Sequence, residues 1–159
     1  MNTIEKALEL KLNLFTQTTS LDFDIFDFSM AIGRNYTLTY LTMNLLRNLP
    51  NQPIKTLNYD ENKLVLFLNE IQRGYRSDVA YHNDLHGADV MQMAYIFLTE
   101  GGLIELANLN HLDQVAMMVA GACHDYDHDG MNNTYHVNAF TSRTIRYHHK
   151  SVQENYHAA

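Results

Sequence analysis

Residues 110–130 read NHLDQVAMMVAGACHDYDHDG, and the reading of this stretch decides the fold. Asn110 with Asp113 three positions later has the spacing of a capping box, which predicts a helix start. Every residue from Val115 to Cys123 is apolar or small, so the helix is expected to be buried on nearly all faces. It delivers His124 and Asp125, a nitrogen and an oxygen donor, at its end. His128 lies one turn further on if the helix continues.

Outward from there, residues 81–90 read YHNDLHGADV and lead into a second apolar stretch from Val90 to Leu98, stopped by Gly101 and Gly102. His82 and His86 are four residues apart and, on a helix, would face the same way. Further upstream, Leu38, Leu41, Leu45, Leu46 and Leu49 form a helical stripe that ends at Pro50. Asp60 is placed to cap a helix with Leu64, Phe67, Leu68 and Ile71 on its apolar face and Gly74 near its end. Ile4, Ala7, Leu8, Lys11, Leu12 and Phe15 make an amphipathic first helix. No segment alternates as a strand would. The expectation is one all-α domain over residues 1–159.

Composition narrows the function. The 159 residues carry a formal net charge of −7 with no basic cluster, which argues against a nucleic-acid partner. A bound metal pair would offset part of that charge locally. Cys123 is the single cysteine, so neither a disulfide framework nor a thiolate zinc cluster is available, and its place in the apolar run VAMMVAGAC makes it a small buried packing residue. The N-terminus lacks a basic region before its apolar residues, and no stretch of about 18 apolar residues exists, so neither a signal peptide nor a membrane span is expected. Cytoplasmic placement follows as the default. All nine histidines lie from His82 onward, which points to nitrogen-and-oxygen metal chemistry or acid–base work.

An isolated HxxxH or His-Asp pair is weak. Together, at the ends of two apolar helices, they ask for more, because burying such groups unpaired costs roughly several kcal/mol. A metal or a complete hydrogen-bond network is required.

Three strings then carry a family resemblance. DVAYHNDLHGADVMQ (78–92) is similar to the YHNxxHAxDVxQ motif of class I 3′,5′-cyclic-nucleotide phosphodiesterases. HDYDHDGMNN (124–133) resembles their HDxDHxGxxN, and SVQENYH (151–157) their SVLENHH. LDFDIFDFSMAIGRNYTL (21–38) resembles the stretch entering the family's first helices, so the match runs over roughly 20–157. The resemblance implies an all-α, HD-like phosphodiesterase domain acting on cAMP or cGMP in signal transduction. It implies two divalent metals, Zn and Mg (or Mn), with His86, His124 and Asp125 as ligands and Asp125 bridging both ions. It makes His82 the proton donor to the departing O3′, with His82 and Asp125 facing substrate. Glu154 would orient His82 and hold water, and His128 would hydrogen-bond water at the second ion. His111, His136, His148 and His149 are expected only to pack or to lie on the surface, and Asp89, Asp127 and Asp129 to support.

Gly87 stands where the family has Ala, Tyr147-His148-His149 where it has Tyr-Asn-Asp, and Tyr156 where it has His. The family domain is about twice as long, and its later helices supply a fourth ligand and the purine pocket. The chain is therefore expected to be a front half, completed by a C-terminal half or a partner chain, holding metal weakly and turning over little alone. A non-catalytic binding or scaffolding module and another HD-type metal phosphohydrolase are the alternatives.

Overall fold

A computed structural model describes residues 14–159. The expected first stripe, Ile4 to Leu12, lies outside the described residues; its last member, Phe15, packs edge-on against Phe28 with ring centroids 5.3 Å apart. Among the described residues the regular elements are helical. They are α1 (Ile25–Ile32), a 3-10 turn (Arg34–Tyr36), α2 (Thr37–Asn48), α3 (Pro53–Thr56), α4 (Glu61–Gly74) and α5 (Asp84–Leu98). They continue with α6 (Leu103–Leu106), α7 (His111–Cys123), α8 (Asn133–Asn138), α9 (Ser142–Arg146) and α10 (Val152–His157).

Helix α5 is the centre, packed against both α7 and α2, which also touch each other. The leucine stripe of α2 is the heart of the core. Leu38, Leu41, Leu45 and Leu46 are fully buried, together with Met91 and Leu98 of α5 and Met118 of α7. Each such side chain contributes about 1.5–3 kcal/mol through removal from water. Two expectations about faces need correction. Phe67 of α4 points outward, leaving Leu68 as that helix's fully buried apolar residue. Helix α7 buries Gln114, Val115, Met118 and Ala122 but leaves Leu112, Ala116 and Ala120 exposed, because nothing among the described residues packs on that side.

Helices α5 and α7 run antiparallel, and a glycine lets them approach. A Cβ built on Gly121 would lie 3.0 Å from Met91 Cα, so a side chain there would push the helices apart. This packing sets the start of α5 beside the end of α7. The cap of α5 anchors the same place. The Asn83 side-chain oxygen accepts from Leu85 N–H at 3.0 Å, and its amide donates to the Val79 and Ala80 carbonyls at 3.0 and 3.2 Å. Arg34 donates to Asp84 Oδ1 from Nε and Nη2 at 3.1 and 2.7 Å, placing a carboxylate in the first turn where the helix dipole favours it. Asn110 and Asp113 form the expected capping box, and Asp60 caps α4. Helices α8, α9 and α10 pack on one another, and α10 lines the cavity at this end of the α5–α7 pair. No described helix is long and apolar enough to cross a membrane.

Candidate metal centre

His82 is not on the helix that carries His86. The extended backbone of Asn83 (φ −128°, ψ −175°) starts α5 at Asp84, so His82 sits in the preceding loop. The helix-face argument for the pair is therefore replaced by tertiary contact, which still leaves the two rings 5.7 Å apart. Likewise α7 does not continue to His128. It ends at Cys123, and left-handed Asp127 (φ 54°) and Gly130 (φ 80°) turn the chain back. His128 N–H donates to the Asp125 carbonyl at 3.0 Å within this turn.

His86, His124 and Asp125 converge. His86 Nε2 lies 3.2 Å from His124 Nε2 and 3.4 Å from Asp125 Oδ2, and His124 Nε2 lies 3.3 Å from the same oxygen. Two donors bound tetrahedrally at about 2.1 Å are separated by about 3.4 Å, so the three atoms fit the faces of a divalent-cation site. The backbone decides which nitrogen can bind. The Gly121 carbonyl can only accept, so His124 Nδ1, 2.8 Å away, carries the proton and Nε2 keeps its lone pair. Electrostatics prepare the same set. Burial, with the charge of His124, lowers the His86 pKa and keeps it neutral. The hydrogen bond that Asp125 accepts from Nε2–H of the protonated ring raises that of His124 against its burial. Burial pushes the Asp125 carboxyl up, but the hydrogen bond and charge of His124, then the charges of His128 and His82, hold it at about 2. A proton on His124 is what an incoming cation would displace.

Beside this trio three imidazoles stack. His82 lies on His128 with centroids 4.0 Å apart and planes at 11°, and His128 lies on His157 at 5.4 Å and 14°. His82 Nε2 stands 4.0 Å from Asp125 Oδ2, the furthest of the imidazoles facing that oxygen. His128 is buried, which lowers its pKa, with the neighbouring His82 charge adding to the effect. Its Nδ1 accepts from Gly130 N–H at 2.9 Å, so the neutral ring carries its proton on Nε2 and offers a donor rather than a ligand.

Glu154 was expected to orient His82. Instead both of its oxygens accept from Asn133 Nδ2, at 3.1 and 2.9 Å, and no hydrogen bond joins it to His82 among the described residues. Both line a cavity of about 630 Å³ that also takes in His124, Asp125, His128 and His157. His157 is not among the expected site residues. Its signal was its place at the end of the SVQENYH string, three residues after Glu154 and so on the same face of α10.

The supporting acids are where their neighbours need charge. Arg143 lies 3.5 Å from Asp127 Oδ2 and 3.3 Å from Asp129 Oδ2, and its guanidinium covers the Tyr156 ring at 3.6 Å. Tyr156 Oη donates to Asp127, and Gln153 Nε2 donates to Asp129 Oδ1 at 2.9 Å. Tyr156 thus has its own partner in this loop. His136 is buried between Thr141 and Asp129, while Asp89, His148 and His149 are exposed. Cys123 lines the cavity as a protonated thiol, pushed up to about 11 by burial. Gly87 has a steric role of its own. A Cβ there would lie 2.7 Å from Tyr75 Oη, which donates to the Ala122 carbonyl at 3.0 Å and accepts from Asp125 N–H at 3.3 Å. Gly87 makes room for the hydroxyl that holds the His124–Asp125 turn.

Comparison with known proteins bears on the family. A family profile described as 3′5′-cyclic nucleotide phosphodiesterase matches residues 81–159. The chain is 32% identical over 154 residues to the high affinity cAMP-specific and IBMX-insensitive 3′,5′-cyclic phosphodiesterase 8 of Drosophila melanogaster, covering 97% of the chain and 16% of that protein. It is 42% identical over 96 residues to the 3′,5′-cyclic-nucleotide phosphodiesterase regA of Dictyostelium discoideum, covering 60% of the chain and 12% of the relative. With the 3′,5′-cyclic-AMP phosphodiesterase 4C of Mus musculus it shares 32% over 142 residues, 89% of the chain and 20% of the relative. The chain thus spans a fifth or less of the length of these relatives.

Proposed function

The chain belongs to the 3′,5′-cyclic nucleotide phosphodiesterase family, and from that premise we propose that it carries the metal-binding and proton-donating part of a hydrolase that opens 3′,5′-cyclic nucleotides to 5′-monophosphates. The observation that carries this reading is the convergence of His86 Nε2, His124 Nε2 and Asp125 Oδ2 within 3.2–3.4 Å of one another. Several of the relatives are named for cAMP, which makes cAMP the first substrate to test.

His86, His124 and Asp125 would hold a first cation, Zn²⁺ by the mix of nitrogen and oxygen donors, and Asp125 would share a second, Mg²⁺ or Mn²⁺. Bound there, the cations supply neutralisation of the phosphodiester charge and activation of water at neutral pH. His82 stands at the cavity mouth, more exposed than His86 and just outside bonding range of Asp125. It is assigned to protonate the leaving O3′, a role worth about 10²–10⁴ in rate. His128, with its donor nitrogen outward, holds water or a phosphate oxygen. Glu154, fixed by Asn133 in the wall of the cavity, is assigned to orient water.

The test is phosphorus NMR of cAMP added to the Mn²⁺-loaded chain. Binding at the centre broadens the phosphodiester resonance, turnover adds a 5′-monophosphate signal, and His124→Ala abolishes both. Broadening equal to that of the His124→Ala control would overturn the reading.

A further inference from the structure

Gly74 stands at the end of α4, where a glycine is expected to end a helix, yet the backbone there does not call for one. It is the last helical residue, and the chain leaves the helix through Tyr75 in extended backbone (φ −71°, ψ 138°), with no left-handed residue at the junction. What requires glycine is space. A Cβ built on Gly74 would lie 2.5 Å from Tyr126 Oη and closer still to Cζ and Cε2 of the same ring. Non-bonded heavy atoms pack at about 3.5–4.0 Å, so a methyl group there would drive the ring back by about 1 Å or more.

Tyr126 follows Asp125 in the chain, as Tyr75 follows Gly74, and each pair grips the other. The Tyr75 hydroxyl accepts from Asp125 N–H at 3.3 Å, and the Tyr126 ring sits on the bare α-carbon of Gly74. The two tyrosine rings meet edge to face with centroids 6.5 Å apart. Tyr126 N–H donates to the Cys123 carbonyl at 3.0 Å, so Asp125 lies inside a short turn on which a displaced Tyr126 ring would pull. Tyr126 is 41% exposed, so burial by itself does not fix its ring; contact with Gly74 does.

We propose that Gly74 and Tyr126 are positioning residues of the metal centre: the bare α-carbon seats the ring, and the seated ring holds Asp125 in register with His86 and His124. Neither residue touches the cation. This rests on the proposed metal centre, in which Asp125 Oδ2 lies 3.4 and 3.3 Å from the two imidazole nitrogens. Ligand distances at such a centre tolerate about 0.2 Å, several times less than the displacement that a side chain at position 74 would impose. Stability runs the other way, because alanine suits helical backbone better than glycine. A glycine that served only the helix end would therefore give a firmer chain with unchanged affinity when replaced by alanine.

The test measures Zn²⁺ affinity by equilibrium dialysis and stability by denaturant unfolding on the full chain, for the wild type, Gly74→Ala, Tyr126→Ala and the double variant. Gly74→Ala should lose about tenfold in affinity, the low end of the range for groups that support a metal ligand indirectly, with its unfolding midpoint unchanged or raised. Tyr126→Ala should lose a similar factor. The double variant should lose no more than Tyr126→Ala alone, because the ring that the methyl group strikes is gone. Unchanged affinity in Gly74→Ala would show that the ring swings into solvent without moving Asp125, and would overturn the proposal. Losses that multiply in the double variant would overturn it too, since the two residues would then act separately. If the variants do not fold, NMR of the wild type takes their place: nuclear Overhauser contacts should join the Gly74 Hα protons to the Tyr126 ring, and their absence would overturn the proposal. A wild type that binds no Zn²⁺ would sink the metal centre and this inference together, whereas Zn²⁺ binding that Gly74→Ala leaves intact would sink only the inference.

Discussion

Two carboxylate clusters drawn from one string, HDYDHDG (124–130), solve the same electrostatic problem in opposite ways. Asp127 and Asp129 meet a resident cation. Arg143 lies within 3.5 Å of both, and Tyr156, Gln153 and the Met131 N–H supply further donors. Asp125, two residues earlier, meets imidazoles whose lone pairs are turned toward it by the backbone carbonyls of Gly121 and Tyr126. The first cluster carries its own charge partner in Arg143. The second has no such resident partner, and a cation from solution would complete it. Residue type does not distinguish the two; what lies behind each side chain does.

The contrast breaks most visibly if the Asp125 cluster is not a cation site. Asp125→Asn should weaken Zn²⁺ retention in equilibrium dialysis by more than about 100-fold, beyond the 10–100-fold that indirect partners contribute. His124→Ala should do the same, and neither change should alter the Asp129 cluster.

Removing the resident cation should do the reverse. Arg143→Met leaves two partly buried carboxylates without their charge partner and should destabilise the chain by about 2 kcal/mol in denaturant unfolding. That is below the 3–5 kcal/mol of a fully buried broken pair, because Asp127 and Asp129 keep some solvent. Zn²⁺ affinity of the variant, measured on the folded fraction, should stay within a few-fold. A large loss would mean that the two clusters act as one.

The pH dependence sharpens the comparison further. The His124 pKa is raised by Asp125, so its proton competes with the cation at a higher pH than an ordinary histidine's would. Burial keeps His86 neutral, and Asp125 stays ionised down to about 2. Calorimetry in buffers of different ionisation enthalpy should therefore find affinity falling from pH 8 to pH 6, with release rising toward about one proton per first ion. Release of two protons would place charge on His86 and contradict its burial.

The smallest effect belongs to the support behind Asp125. Tyr75→Phe removes the hydroxyl that links the Ala122 carbonyl to Asp125 N–H and should lower Zn²⁺ affinity by about tenfold, with little change in stability. Gly87→Ala, which crowds that hydroxyl, should resemble it in dialysis.

The all-helical class, the leucine stripe of α2, the capping box of α7 and the pairing of the two histidine strings were legible in the chain itself. These are local facts: periodicity, cap spacing and residue type act within a few positions and leave their mark in order along the sequence. What lies across space was not legible. That Asn83 starts α5 and excludes His82, that α7 stops before His128, and that Glu154 is held by Asn133 depend on competing partners that no spacing reveals. His157 is the clearest case. It reads as one histidine among nine, and only the placement of α10 beside the turn that follows α7 gives its Nδ1 the Tyr126 carbonyl and leaves its Nε2 facing Asp125. A histidine's chemistry is set by which nitrogen keeps the proton, and that is decided by the group the fold places behind the ring.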